Sequence, residues 1–173
     1  MFIYQRFHKR LILVSMVVFT IVLSYSIRVV AEGQGVSVSH NSPVLTVYKR
    51  PTCQCCGKWV SHIKESGFQV ETINRRDLSD LKIDRGIQQR YQSCHTAISK
   101  NGYVFEGHIP AKFIQQFLQE KPKGAIGLSV PAMPVGTPGM EYRNKFMPYQ
   151  VLLLKADGSA ETYARVNSQE EQY

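Results

Sequence analysis

Three of the four cysteines in this 173-residue chain fall within one short string, "RPTCQCCGKW", as Cys53, Cys55 and Cys56; the fourth is Cys94. Thiolates bind metals and attack disulfides, and a C-x-x-C pair such as Cys53 and Cys56 is suited to both. Three thiols in one turn are too crowded to serve as three independent terminal ligands of one tetrahedral ion. Bridging sulfurs shared among several soft ions satisfy them better, with Cu(I) favoured and Zn(II) as competitor. The other reading is a Cys53–Cys56 disulfide with Cys55 as a spare buried thiol. Bridging the adjacent Cys55 and Cys56 would be strained.

Further soft ligands follow along the chain. Cys94, in "QSCHTAI", is either a fourth thiol delivered to the first three or a buried small hydrophobe. His95 beside it would point to the opposite face of a strand that included both. His108, in "EGHIP", is a loop imidazole, ligand or plain capping histidine, and by itself reads as the latter. Met133 and Met140 lie in "VPAMPVGTPGMEYRNKFMP", a stretch poor in other apolar residues, where soft thioether ligation competes with core filling; Met147 reads as packing. His62 and His40 read as solvated.

The elements that must position these residues are legible from periodicity and turn residues. Val44–Tyr48 is a buried strand, and the cysteine loop follows it directly. Trp59, Val60 and Ile63 then mark one face of a helix stopped by Gly67. Phe68–Ile73 alternates as a strand parallel to the first. "RDLSDLKIDRG" predicts a short helix capped by Asp77 and ended by Gly86. Thr96–Ile98 and Tyr103–Phe105 form a hairpin about Asn101-Gly102. Pro110 opens a helix lined by Phe113, Ile114, Phe117 and Leu118. Residues 122–148, rich in Pro and Gly, read as a long ordered loop or lid. A final hairpin turns at Asp157-Gly158, and the last seven residues are polar and read as frayed.

This order predicts an α/β, thioredoxin-like fold with a central mixed sheet and flanking helices. The C-x-x-C then sits at a helix N-terminus, where free N–H groups and the helix dipole favour thiolate. Cys94 precedes the third strand, where such folds usually place a cis-proline against the C-x-x-C; here there is no proline.

The chain's ends carry different information. Its formal charge is +8, but Arg6, Lys9, Arg10 and Arg28 lie in the first 31 residues, which have no acid, so the remainder is +4. With no basic run interleaved with aromatics, nucleic acid is not a predicted partner. A basic start, an uncharged apolar stretch at 11–27 and Val29-Val30-Ala31 predict a cleaved export signal at 1–31, with an uncleaved membrane anchor as the alternative. Residues 32–43 read as a linker, 44–166 as the metal-binding domain and 167–173 as a polar tail.

"PTCQCCGKW", "SCHTA", "EGHIP" and "VPAMPVGTPGME", in this order and spacing, closely resemble the CopG-type copper-resistance family, exported bacterial proteins with a predicted metal-binding domain. The resemblance spans roughly Val44–Val166. It implies a thioredoxin-like fold holding a multinuclear Cu(I)–thiolate cluster on Cys53, Cys55, Cys56 and Cys94, with His108 and the methionine loop around it. It also implies periplasmic copper handling, including redox interconversion of Cu(I) and Cu(II), with other periplasmic copper-handling proteins or an electron donor as partners. Gln54 and Ala132 depart from the family pattern, each standing where Gly is common. Two other functions fit the residues: a periplasmic thiol–disulfide oxidoreductase using Cys53 and Cys56, and a structural zinc domain.

Overall fold

The computed structural model describes residues 42–173. The predicted export segment, His40 and nearly all of the predicted linker lie outside the described residues.

Seven strands form one mixed sheet in the order β2-β1-β3-β4-β5-β6-β7. They are β1 (Val44–Lys49), β2 (Gln69–Asn74), β3 (Thr96–Ser99), β4 (Val104–Glu106), β5 (Ala125–Ser129), β6 (Tyr149–Lys155) and β7 (Ala160–Val166). The helices are α1 (Gln54–Glu65), α2 (Ser79–Asp84) and α3 (Ala111–Glu120). β1 pairs parallel with β2 and antiparallel with β3, and β3 pairs antiparallel with β4. With α1 joining β1 to β2, this is the predicted thioredoxin-like arrangement, extended by a parallel β5 and the β6–β7 hairpin.

Period-2 burial explains how the sheet holds its helices. Leu45, Val47, Ala97, Phe105 and Leu128 face the main core, which also takes Trp59 and Ile63 of α1 and Ile114 and Phe117 of α3. Alternate residues Ile98, Val104 and Leu154 face a smaller core closed by Leu78, Leu81 and Ile87. On α1, Cys56, Trp59, Val60 and Ile63 are buried, a spacing of three and four that defines one helical face. Cys56 therefore belongs to the packed side of its helix.

Three expectations are corrected. The stretch 122–148 is not all loop, because β5 lies within it and pairs on both sides. The C-terminal residues are docked: Gln172 is buried, accepts from Tyr149 Oη at 2.7 Å and donates to the Gly136 carbonyl at 2.9 Å. Asp77 sits one residue too early to be the N-cap of α2, yet its Oδ1 accepts from the Ser79 N–H and hydroxyl at 2.9 and 2.7 Å, so it still organises that terminus.

Candidate metal centre

Cys53 is the N-cap of α1, extended at φ −75° and ψ 97°, and its sulfur accepts from the Cys56 N–H at 3.4 Å. The first turn carries no acidic side chain of its own to offset the positive end of the helix. Cys53 and Cys56 are joined as a disulfide, the pairing that competes with metal ligation in the sequence. Cys55 Sγ lies 3.5 Å from Cys53 Sγ, and Cys94 Sγ lies 3.5 Å from Cys56 Sγ. All four sulfurs fall within 4.8 Å of one another. The fold thus brings Cys94 to the other three.

Both histidines beside Cys94 are buried, which sequence reasoning did not foresee. β3 starts at Thr96, so Cys94 and His95 precede the pleat and do not alternate; His95 Nδ1 sits 3.3 Å from Cys94 Sγ. His108 is neither a surface nor a capping residue. Its Nδ1 is 2.8 Å from the Pro138 carbonyl, which can only accept, so Nδ1 carries the proton and Nε2 turns a lone pair toward Cys94 Sγ at 3.1 Å. Cys94, His95 and His108 form a second group with ligand atoms within 4.8 Å of one another.

The electrostatics follow from burial. It lowers the pKa of His108, and it lowers that of His95 well below the usual imidazole value, aided by the charge His108 would carry. It pushes the Cys94 thiol up to about 12, with Cys55 adding to the rise. Both imidazoles are therefore neutral at pH 7, as metal ligation requires. His95 Nε2 is buried without a hydrogen-bond partner among the described residues, a polar atom whose cost a ligand would offset. Four sulfurs, with His95 Nδ1 and His108 Nε2 beside Cys94 Sγ, make a soft donor set that fits a metal ion.

The Pro/Gly-rich loop closes the site. Gly139 (φ +86°) lies so close to the first turn of α1 that a Cβ there would meet Cys55 O and Trp59 N, each at 2.7 Å. Pro138 beside it orients His108. Two clefts share Thr52 and Cys53 in their walls. One, of about 540 Å³, is lined by Cys94 and Met133, and the other, of about 640 Å³, by Cys55 and Met140. Met133 and Met140 thus flank the cysteines on two sides. Met147 is 55% exposed, so the packing role expected of it is not there. Gln54 opens α1 without a positive φ, so glycine's freedom is not needed at that departure from the family pattern; Ala132, at φ 59°, does occupy the left-handed region. His62 is not solvated as expected: its Nε2 accepts from the Ala111 N–H at 3.1 Å, capping α3, and Tyr173 packs on its edge.

Fold and site together define a thioredoxin-like domain whose C-x-x-C end gathers sulfur and imidazole groups able to hold a metal ion. The chain belongs to the CopG-type copper-resistance family. A solved structure described as "Copper resistance protein copG- Form 2" is 33% identical, with a TM-score of 0.69, over 73% of this chain and 99% of that one. A second, "Copper resistance protein copG- Form 1", is 34% identical, with a TM-score of 0.67, over 72% and 98%. The family model "Protein of unknown function, DUF411" matches residues 91–140, which contain Cys94, both buried histidines, Met133 and Met140. No curated protein matches the chain.

Proposed function

We propose that this chain is a periplasmic copper-binding protein that takes Cu(I) as cargo into a multinuclear thiolate cluster and so serves copper resistance. The observation that carries the reading is the convergence of four cysteine sulfurs within 4.8 Å from two separate elements of the fold. Copper-resistance relatives at 33 and 34% identity support copper over other soft ions. Cys53, Cys55, Cys56 and Cys94 supply the sulfurs; His108 and His95 adjoin them, and Met133 and Met140 stand at the two clefts as capture ligands. Thiolates bind the metal, so loading releases protons and weakens at low pH.

The Cys53–Cys56 disulfide must open before all four sulfurs can bind, taking up two electrons and two protons from a periplasmic electron donor. Run in reverse, the pair reduces copper: two Cu(II) ions each gain one electron, two Cu(I) ions form, and the two thiols become the disulfide with release of two protons. Sequestration and Cu(I)/Cu(II) conversion are then two uses of one site. The apolar, basic-flanked N-terminal segment supports export, and fractionation of cells with the intact mass of the mature chain tests it.

The deciding experiment counts copper on the reduced full chain, loaded with excess Cu(I) without oxygen, beside Cys94→Ser. More than one copper per chain, sharply reduced in the variant, is the expected result. Zero or one copper, indifferent to Cys94, overturns the cluster. One observation favours a second reading: the Cys53–Cys56 disulfide lies at a helix N-terminus, as in a thiol–disulfide oxidoreductase. Insulin reduction that survives Cys55→Ser and disappears with Cys53→Ser would establish that activity.

A further inference from the structure

Cys94 and His95 come from a short connection, and something must hold it against α1. No cis peptide bond exists among the described residues, and the residue before Cys94 is Ser93. We propose that the buried ion pair Lys82–Glu106 does this work, acting as the positioning device that sets Cys94 and His95 against the cysteines of α1. Lys82 is 4% exposed and Glu106 fully buried, although α2 and β4 lie far apart in sequence.

The contacts of the pair bracket the two site residues from both ends. Lys82 Nζ donates to Glu106 Oε1 and, at 2.7 Å, to the Ser93 carbonyl. The same Glu106 oxygen accepts from the Ser93 N–H at 2.7 Å, while Oε2 accepts from Thr96 Oγ1 at 2.6 Å. Both backbone polar groups of Ser93 and the side chain of Thr96 are thus tied to one ion pair. Only Cys94 and His95 between them are left to face the site. Gly107 (φ +79°) follows Glu106, and a Cβ there would meet Ser93 Cβ at 2.6 Å, so the β4 end and the Ser93 connection touch directly.

Stability alone does not call for this arrangement. A buried ion pair gives up the hydration of two charges, and an apolar pair of similar size often serves the fold as well or better. What an apolar pair could not do is grip the N–H and the carbonyl of one residue and the hydroxyl of another at fixed positions. The cleft that Lys82 lines also holds Cys53, Cys94 and Met133, so the pair lies at the edge of the site it orients.

The test uses the reduced, metal-free full chain with Lys82→Met/Glu106→Met, which leaves no unpaired ion, and Glu106→Gln beside it. Alkylation of each cysteine by iodoacetamide is followed by peptide mass. Released from its anchor, Cys94 reacts about tenfold faster as its connection opens locally, while Cys55 keeps its wild-type rate. Cu(I) loading is the second arm and rests on the copper reading. Copper per chain falls to the Cys94→Ser value, and adding Cys94→Ser to the variant lowers it no further, because both changes remove the same ligand. Thr96→Val, which removes one hold and keeps the ion pair, makes the same comparison with a smaller rise if the others do not fold. Variants with a lowered melting point but wild-type Cys94 alkylation and copper content would reduce the pair to a structural role. A wild-type chain that binds no copper sinks the copper reading and leaves the alkylation arm to decide the positioning.

Discussion

Trp59, the chain's single tryptophan, joins the core to the site. Its ring is fully buried, its Nε1–H donates to the Ile109 carbonyl at 2.8 Å, and its ring centroid lies 4.3 Å from that of His95, the planes tilted by 46°. The hydrogen bond fixes the backbone next to His108. Replacing Trp59 with Phe keeps much of the apolar contact but leaves a buried carbonyl unpaired, so stability should fall by about 1–3 kcal/mol. Urea unfolding measures it, and an unchanged midpoint would mean that the segment re-pairs elsewhere. The types of the site residues were legible in the sequence, because soft ligands at close spacing are rare chemistry. Their burial was not. His62 and Ala111, or His108 and Pro138, meet through the fold across tens of residues, so an imidazole that is a cap and one that is solvated look alike in the string. Lys82 and Glu106 likewise carry no sequence signal of pairing, because only the fold brings α2 and β4 together.

At the level of elements, β5 shows why a strand escaped the sequence pattern. "GAIGLSV" is interrupted by Gly127, and glycine in a strand usually argues against one. The structure supplies the reason for it: a Cβ at Gly127 would lie 1.7 Å from the Val104 carbonyl oxygen of the neighbouring strand. Gly127→Ala must therefore push β5 away from β4, whose Glu106 holds the Cys94 connection. A loss of more than about 3 kcal/mol is expected, at the severe end for single substitutions. A denaturation curve checks it, and a near-neutral result would show that the two strands separate at little cost. The docked tail escaped for a related reason, since a polar glutamine forecasts no burial unless its partners, Tyr149 and Gly136, are already in place. The strands and helices that did emerge from the sequence, β1, α1, β2, α2, β3, β4, α3 and the β6–β7 hairpin, are those whose periodicity or turn residues act locally.

For the molecule as a whole, the buried titratable groups set a window of pH in which the metal-free fold is most stable. His95 and His108 have pKa values lowered by burial from an ordinary 6.5, and the half-buried His62 shifts the same way. Below 6.5 the unfolded chain takes up protons that the folded chain refuses, so stability falls as pH falls, until the folded values are reached. Two buried histidines give a limiting slope of about 2.7 kcal/mol per pH unit. Cys94 acts on the other side. Its thiol, ordinarily 9.0, is raised to about 12 in the fold, so above 9 the unfolded chain loses a proton that the folded chain keeps, and stability falls as pH rises. Urea midpoints measured at about pH 5, 8 and 10 should therefore peak in the middle. Cys94→Ser should make the alkaline limb shallower, leaving the part due to Tyr149, Tyr163 and Tyr173, whose pKa values burial also raises, and His108→Gln should make the acid limb shallower. A midpoint unchanged from the middle pH to the acid one would mean that His95 and His108 accept protons without leaving the core, or that Glu106, whose carboxyl pKa burial raises, offsets them by taking up a proton in the fold. A proton on His95 or His108 also removes a candidate metal ligand as it loosens the fold, whereas a proton on Cys94 removes a ligand without that cost, since the fold favours the thiol. On the proposed copper reading, acid releases the metal and loosens the histidine side of the site together.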